Sequence, residues 1–219
     1  DDASKAVVAL LNRGIAASSA WDGVLASAGE LLMRRPGIVG IHCVTSANAL
    51  RYAFQTSGNP ETRLLTLLQG AAYMAMFRQS MGLGPDSGPR IDRLEPIADA
   101  EQGPQAIEAI FASVDRDRMQ AARRTLAFLN GGGPAEELLT AARRLIFLKG
   151  SNAHDYKFSS AALEDYYHVS PALRNRFLAT AMFNLRGSGA ADNPLVARTR
   201  AAIIVRENRL LAWDEGNPK

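Results

Sequence analysis

A single cysteine, Cys43, occurs among 219 residues, so no internal disulfide can form and no cysteine-rich zinc site can be built. No run of about 18 apolar residues is present, so a membrane-spanning helix and a membrane partner are not expected. A basic block interleaved with aromatics is also lacking. Lys and Arg number 25 against 22 Asp and Glu, and the pI near 9.2 reflects an excess of only three charges. The pairs Arg123-Arg124 and Arg143-Arg144 stand among acids and apolar residues and read as solvated helix faces, so no nucleic-acid partner is expected. The opening DDASKAVVALL has neither a basic n-region and h-region nor an initiator Met. A signal peptide is therefore not expected, and the chain reads as a mature form or a piece of a longer protein. Gly131-Gly132-Gly133 is not followed by Gly-Lys-Ser/Thr, and Gly-x-Gly-x-x-Gly is absent, so neither a phosphate loop nor a Rossmann site for NADPH or flavin is encoded.

What is present is a globular balance, with 47% hydrophobic and 21% charged residues. It suits a soluble protein, with the cytosol as the expected compartment, although unpaired cysteine alone does not fix it. Nearly every segment repeats apolar residues with the helical period, and no strand-rich stretch competes. The expected fold is all-α, a multi-helix bundle or irregular array of helical hairpins with about eight to ten helices. Helices are expected at 4–18, 20–33, 38–55, 60–81, 104–114, 115–129, 135–148, 152–169, 171–186 and 193–213. The β-branched run Ile38, Val39, Ile41, Val44 allows a strand, but Ala47, Ala49, Leu50 and Ala53 favour helix. Asn59-Pro60-Glu61 is a helix start, with Asn as cap and Pro just inside. The helix it opens is apolar on most sides and is expected to be central. The Gly- and Pro-rich loop 82–90 divides a single domain into two possible lobes near 82–92.

Three histidines stand out. His154 and His168 lie in SNAHDYKFSSAALEDYYHVSP, where Asn152 or Ser151 can cap and Pro171 follows the end. With His154 at zero and ~100° per residue, Lys157 falls near −60°, Glu164 near −80°, Asp165 near +20° and His168 near −40°. Five titratable side chains then share one stripe, opposite Tyr156, Leu163 and Tyr167. As a site, the stripe offers an acid, a base and an anion hold, with carboxylates raising the histidine pKa. As an ordinary exposed face, it offers ion pairs three and four residues apart. Glu164, Asp165 and His168 also have a spacing that can chelate a metal, although no metal site is assigned. His42, with Thr45 and Ser46 within a turn, suits either a hydrogen-bonded core position or a catalytic one. Adjacent Cys43 points about 100° away and reads as a buried, inert thiol.

Two stretches carry a resemblance. Ile41-His42-Cys43-Val44-Thr45 with Ala49-Leu50-Arg51, and Ala153-His154-Asp155-Tyr156-Lys157 with Ala161 and Glu164, resemble segments of the questin oxidase-like family. The resemblance implies a largely helical fold and a longer parent protein. It also implies oxidation of an aromatic or polyketide-like small molecule, in the manner of an NADPH-dependent Baeyer–Villiger-type ring opening. Carried over, it implicates His42 and His154 as acid/base residues and Lys157 with Glu164 as their catalytic partners. It also implicates Thr45, Arg51 and Asp155 in substrate binding. A small-molecule ligand is then the expected partner, and nothing in the pattern sets an oligomeric state. The alternative is a non-catalytic helical scaffold that binds other proteins.

Overall fold

The computed structural model describes residues 2–84, 86–98 and 101–216, with side-chain surroundings to residue 206. Among these residues the regular structure is helical throughout: α1 (Asp2–Asn12), α2 (Ala17–Arg34), α3 (Ile38–Thr56), α4 (Pro60–Ser80), a 3-10 turn at Ile91–Arg93, α5 (Pro104–Val114), α6 (Arg118–Asn130), α7 (Ala135–Lys149), α8 (Ala153–Asp165), α9 (Arg174–Ala181) and α10 (Pro194–Gly216).

The core is organised around α2. Trp21, Val24, Leu25, Ala28, Leu31 and Leu32 recur at helical spacing and are all buried. Each such side chain contributes about 1.5–3 kcal/mol when removed from water. The helix packs on α3, α4 and α9. Gly29 lets α9 approach closely, because a Cβ there would lie 2.5 Å from Thr180 Oγ1. The segment at 38–55 is helical, as the alanines and leucine of its second half favour.

The expectation that the 60–81 helix is central is overturned. Only Leu67, Gly70, Ala71 and Met74 of α4 are buried, while Leu64, Leu65 and Met76 are exposed. One stripe of α4 meets α1, α2 and α3, Tyr73 and Phe77 pack partly buried beside it, and Leu64, Leu65 and Met76 face outward. Its start is as expected: the Asn59 side chain accepts the Thr62 amide at 2.9 Å.

Four helices are shorter than their apolar patterns: α8 stops at Asp165 rather than at 169, and α1, α6 and α9 fall short as well. The first stops at Asn12, where the Gly14 amide bonds Leu11 O and the Ile15 amide bonds Leu10 O. Gly14 has φ 85°, a left-handed conformation that closes a helix C-terminus. The helix expected at 115–129 begins at Arg118, because the Asp117 side chain caps it through the Gln120 amide at 3.0 Å. The one expected at 171–186 is regular only over Arg174–Ala181. Beyond it the amides of Met182 and Phe183 reach back three residues, which tightens the chain into turns.

Candidate functional site

Helices α3 and α8 pack side by side and run in the same direction. His42 meets His154 near their starts, Asn48 meets Asp165 further along, and Arg51 reaches His168 last. This seam collects most of the side chains that the sequence singles out, but it separates them into two ends.

At the first end the imidazoles of His42 and His154 lie edge to face, with ring centroids 5.9 Å apart and planes at 84°. His42 is half-buried and His154 exposed, so the pair opens to solvent. The α8 start is built by Asn152, whose Oδ1 accepts the amides of His154 at 2.9 Å and Asp155 at 3.3 Å. Lys157, one turn beyond His154, is exposed and has no hydrogen bond or ion pair among the described residues. Asp155 points the other way and is buried. Its Oδ2 accepts the Ser151 amide at 2.9 Å and the Arg186 guanidinium at 2.6 Å. Burial pushes this carboxyl up, but Arg186 and the amides of Ser151 and Asn152 outweigh burial and leave it below its ordinary value. Asp155 therefore ties α8 to the segment after α9.

At the second end the polar groups are enclosed. Asp165 is 0% exposed, and its Oδ1 accepts Asn48 Nδ2 at 3.1 Å. Burial drives its carboxyl up to about 7, against the opposing pull of Asn48 and Arg51. Arg51 donates to His168 O at 3.4 Å, and burial lowers its pKa while Asp165, Asp22 and Glu164 raise it. Asp22 also accepts the Ser170 amide at 3.0 Å, which joins α2 to the turn after α8. Asp165 Oδ2, Thr45 Oγ1, and Nε and Nη1 of Arg51 are buried without a protein hydrogen-bond partner. Buried polar atoms of this kind ordinarily find a partner, so these four atoms mark the costliest polar burial in the seam.

The five-residue stripe does not survive as one face. Regular helix ends at Asp165, and the amides of Tyr167 and His168 reach back only three residues, to Glu164 and Asp165. Asp165 turns inward to Asn48, whereas Lys157 and Glu164 remain exposed. Leu163 is buried, yet Tyr156 and Tyr167, expected beside it, are exposed. At His168 the carboxylate acts in the expected direction but is outweighed. Glu164 Oε1 stands 3.7 Å from its Nε2 and pulls the pKa up, but burial and Arg51 together bring it below the ordinary value. Among the described residues no three His, Cys, Asp or Glu side chains are grouped to hold a metal. Cys43 is buried, and its thiol is pushed up to about 12 by burial, in keeping with an inert core residue.

His42 and His154 are thus brought together, with Thr45 one turn deeper. Arg51 lies nine residues beyond His42, about 13 Å along the helix axis, and Glu164 about 15 Å beyond His154. Sequence reasoning missed Asn48 and Asp22 altogether and gave Asp165 a place on the stripe and in a possible metal-chelating spacing, not in a buried contact with α3. An Asn three residues after Thr45 is a weak signal, and Asp22 acts through a partner 148 residues away. NADPH, which the resemblance implies, does not fit the seam. Its donors Thr45, Asn48 and Arg51 are closed against α8 by Asp165 and the His168 carbonyl, and no glycine-rich strand-to-helix turn accompanies them. The arrangement defines an all-α chain with a polar inter-helical seam. No family model matches the chain, and neither does a curated protein or a solved structure.

Proposed function

We propose that the chain belongs to an oxidoreductase acting on an aromatic or polyketide-like small molecule, and that the His42–His154 end of the seam handles protons in that reaction. The observation that carries this reading is the meeting of two histidines 112 positions apart in sequence, with ring centroids 5.9 Å apart at a solvent-accessible edge. Both belong to the two segments that resemble the questin oxidase-like family. Two imidazoles side by side can serve one as base and the other as acid. A phenolic substrate gives its proton to one ring, and the phenolate charge is held by exposed Lys157, one turn from His154. Glu164 stands by His168, so its role in this reading is to set that imidazole rather than Lys157. Molecular oxygen is the oxidant and the reductant is external, so the part of the seam is confined to the proton.

The test is turnover of a hydroxyanthraquinone in air with added NADPH, followed by absorbance, in wild type, His42→Ala and His154→Ala. Loss of about a hundredfold or more in each variant, with unchanged helical circular dichroism, supports the reading. Equal turnover in all three overturns it.

A non-catalytic scaffold is the second reading. It is favoured by α10, on which Leu195, Ile203, Ile204 and Val205 are half exposed or more. Complete absence of turnover, together with co-purification of a protein partner that α10 deletion releases, is the outcome it expects.

A further inference from the structure

A concave site of about 420 Å³ lies away from the α3–α8 seam, between the loop before the 3-10 turn and α6. This volume is in the range of small-ligand sites. Its walls are held in place from behind. The Arg34 side chain, 4% exposed, pairs with Glu30 at 2.7 Å and donates to the carbonyls of Pro89 at 3.1 Å and Gly84 at 3.4 Å. Glu30 in turn accepts the Ile91 amide at 2.9 Å. On the opposite side Arg123 Nε holds the Glu95 carbonyl at 3.2 Å, and the Ile97 amide returns to the Arg123 carbonyl at 3.3 Å. A loop rich in Gly and Pro is thereby fixed at both flanks.

The lining has a defined charge pattern. Arg90, Arg93 and Arg123 line it with Asp86 and Glu95, and because Arg90 is taken up by Asp92, two guanidinium groups stand against two carboxylates. Arg90 is committed to Asp92 through two hydrogen bonds at 2.9 and 2.8 Å. Arg93 has Asp92 as an electrostatic neighbour but no hydrogen-bond partner among the described residues. Arg123 uses its Nε on the Glu95 carbonyl, and its two terminal nitrogens make no hydrogen bond among the described residues. Leu94 and Met119 supply the apolar part of the wall.

We propose that this cavity binds a small organic monocarboxylate, with its carboxylate on Arg93 and the terminal nitrogens of Arg123 and its apolar body against Met119 and Leu94. Guanidinium forks match a planar carboxylate. A monoanion adds one negative charge to this balanced lining, whereas a doubly charged phosphate ester adds two beside Asp86 and Glu95, which repel it. The site is independent of the proton-handling seam and stands whether or not the chain is an enzyme.

The probe is benzoate, titrated into the intact protein by calorimetry and by ¹⁵N-detected arginine Nε resonances. The matched controls are benzamide, which has the same shape without the charge, and phenyl phosphate. Arg93→Gln is the primary variant, because Arg93 is exposed and supports no wall. Saturable benzoate binding that weakens about tenfold or more in R93Q, with benzamide at least tenfold weaker than benzoate, is the expected result. Benzoate and benzamide binding alike, benzoate binding that R93Q leaves unchanged, or no saturation overturns the proposal. Phenyl phosphate binding more tightly than benzoate overturns the carboxylate assignment. Arg123→Gln, with its fold checked by thermal melting, must weaken benzoate as well.

Discussion

The two ends of the α3–α8 seam both bring polar side chains together across the same pair of helices, yet they obey different physics. At the His42–His154 end, imidazoles meet beside water, where charge is cheap to change and a reactant can arrive. At the Asn48–Asp165 end, a carboxyl with no exposure, a guanidinium and an asparagine are shut between helices, where every proton moved alters folding. Position along one pair of helices therefore separates a place suited to chemistry from a place that couples protonation to stability.

The strongest way to break this comparison is Asp165→Asn. The folded carboxyl titrates at about 7, against an ordinary 3.8. Because this pKa is raised, its contribution to stability is fully present below about pH 3.8 and is lost as pH rises through about 7. Wild type should lose roughly 2–3 kcal/mol through this group between pH 5 and pH 8. Urea unfolding of D165N should lack that slope, and an unchanged slope would show that the closed end does not hold the proton. His168 acts with the opposite sign: its folded pKa is lowered, so its contribution is present above pH 6.5 and lost as pH falls. The comparison is cleanest in an H168Q background.

A smaller effect is expected for Asn48→Ala. It removes the hydrogen bond that Asp165 Oδ1 accepts, and should cost about 1–2 kcal/mol at pH 8, where the carboxyl is charged. The loss should shrink at pH 5, where the protonated acid needs the donor less. Equal losses at both pH values would mean that Asn48 acts through packing alone.

The least effect is expected for Glu164→Gln, which sharpens the border between the two ends. Glu164 raises the His168 pKa against burial and Arg51, so E164Q should lower it further. Global stability should stay within about 0.5 kcal/mol, because Glu164 is exposed. A histidine NMR titration reads the shift directly, and no movement would remove Glu164 from the seam.

Much of the fold was legible because helices announce themselves locally. The apolar period, the Asn59 and Asn152 caps and the alanines of 47–53 each act within a few residues of where they stand. The helix α4 was misread because periodicity records which residues are apolar, not whether a neighbour arrives to cover them. Leu64 and Leu65 look no different in sequence from Leu67. The end of α8 was misread for a related reason. The turn after Asp165 is fixed by Asp22 taking the Ser170 amide, and a wheel drawn on α8 alone contains no such partner. The meeting of His42 with His154 was not legible at all, since local pattern sets which face a side chain occupies but not which helix lies opposite.

The isolation of Cys43 makes the molecule a ready host for paired labels. A buried thiol that holds its proton to about pH 12 stays silent toward maleimides at neutral pH. Two cysteines introduced at exposed sites such as Tyr52 and Tyr167 can then carry spin labels without altering the native thiol. The separation of α3 from the turn after α8 becomes a distance that can be read by pulsed electron resonance in solution, at any pH chosen.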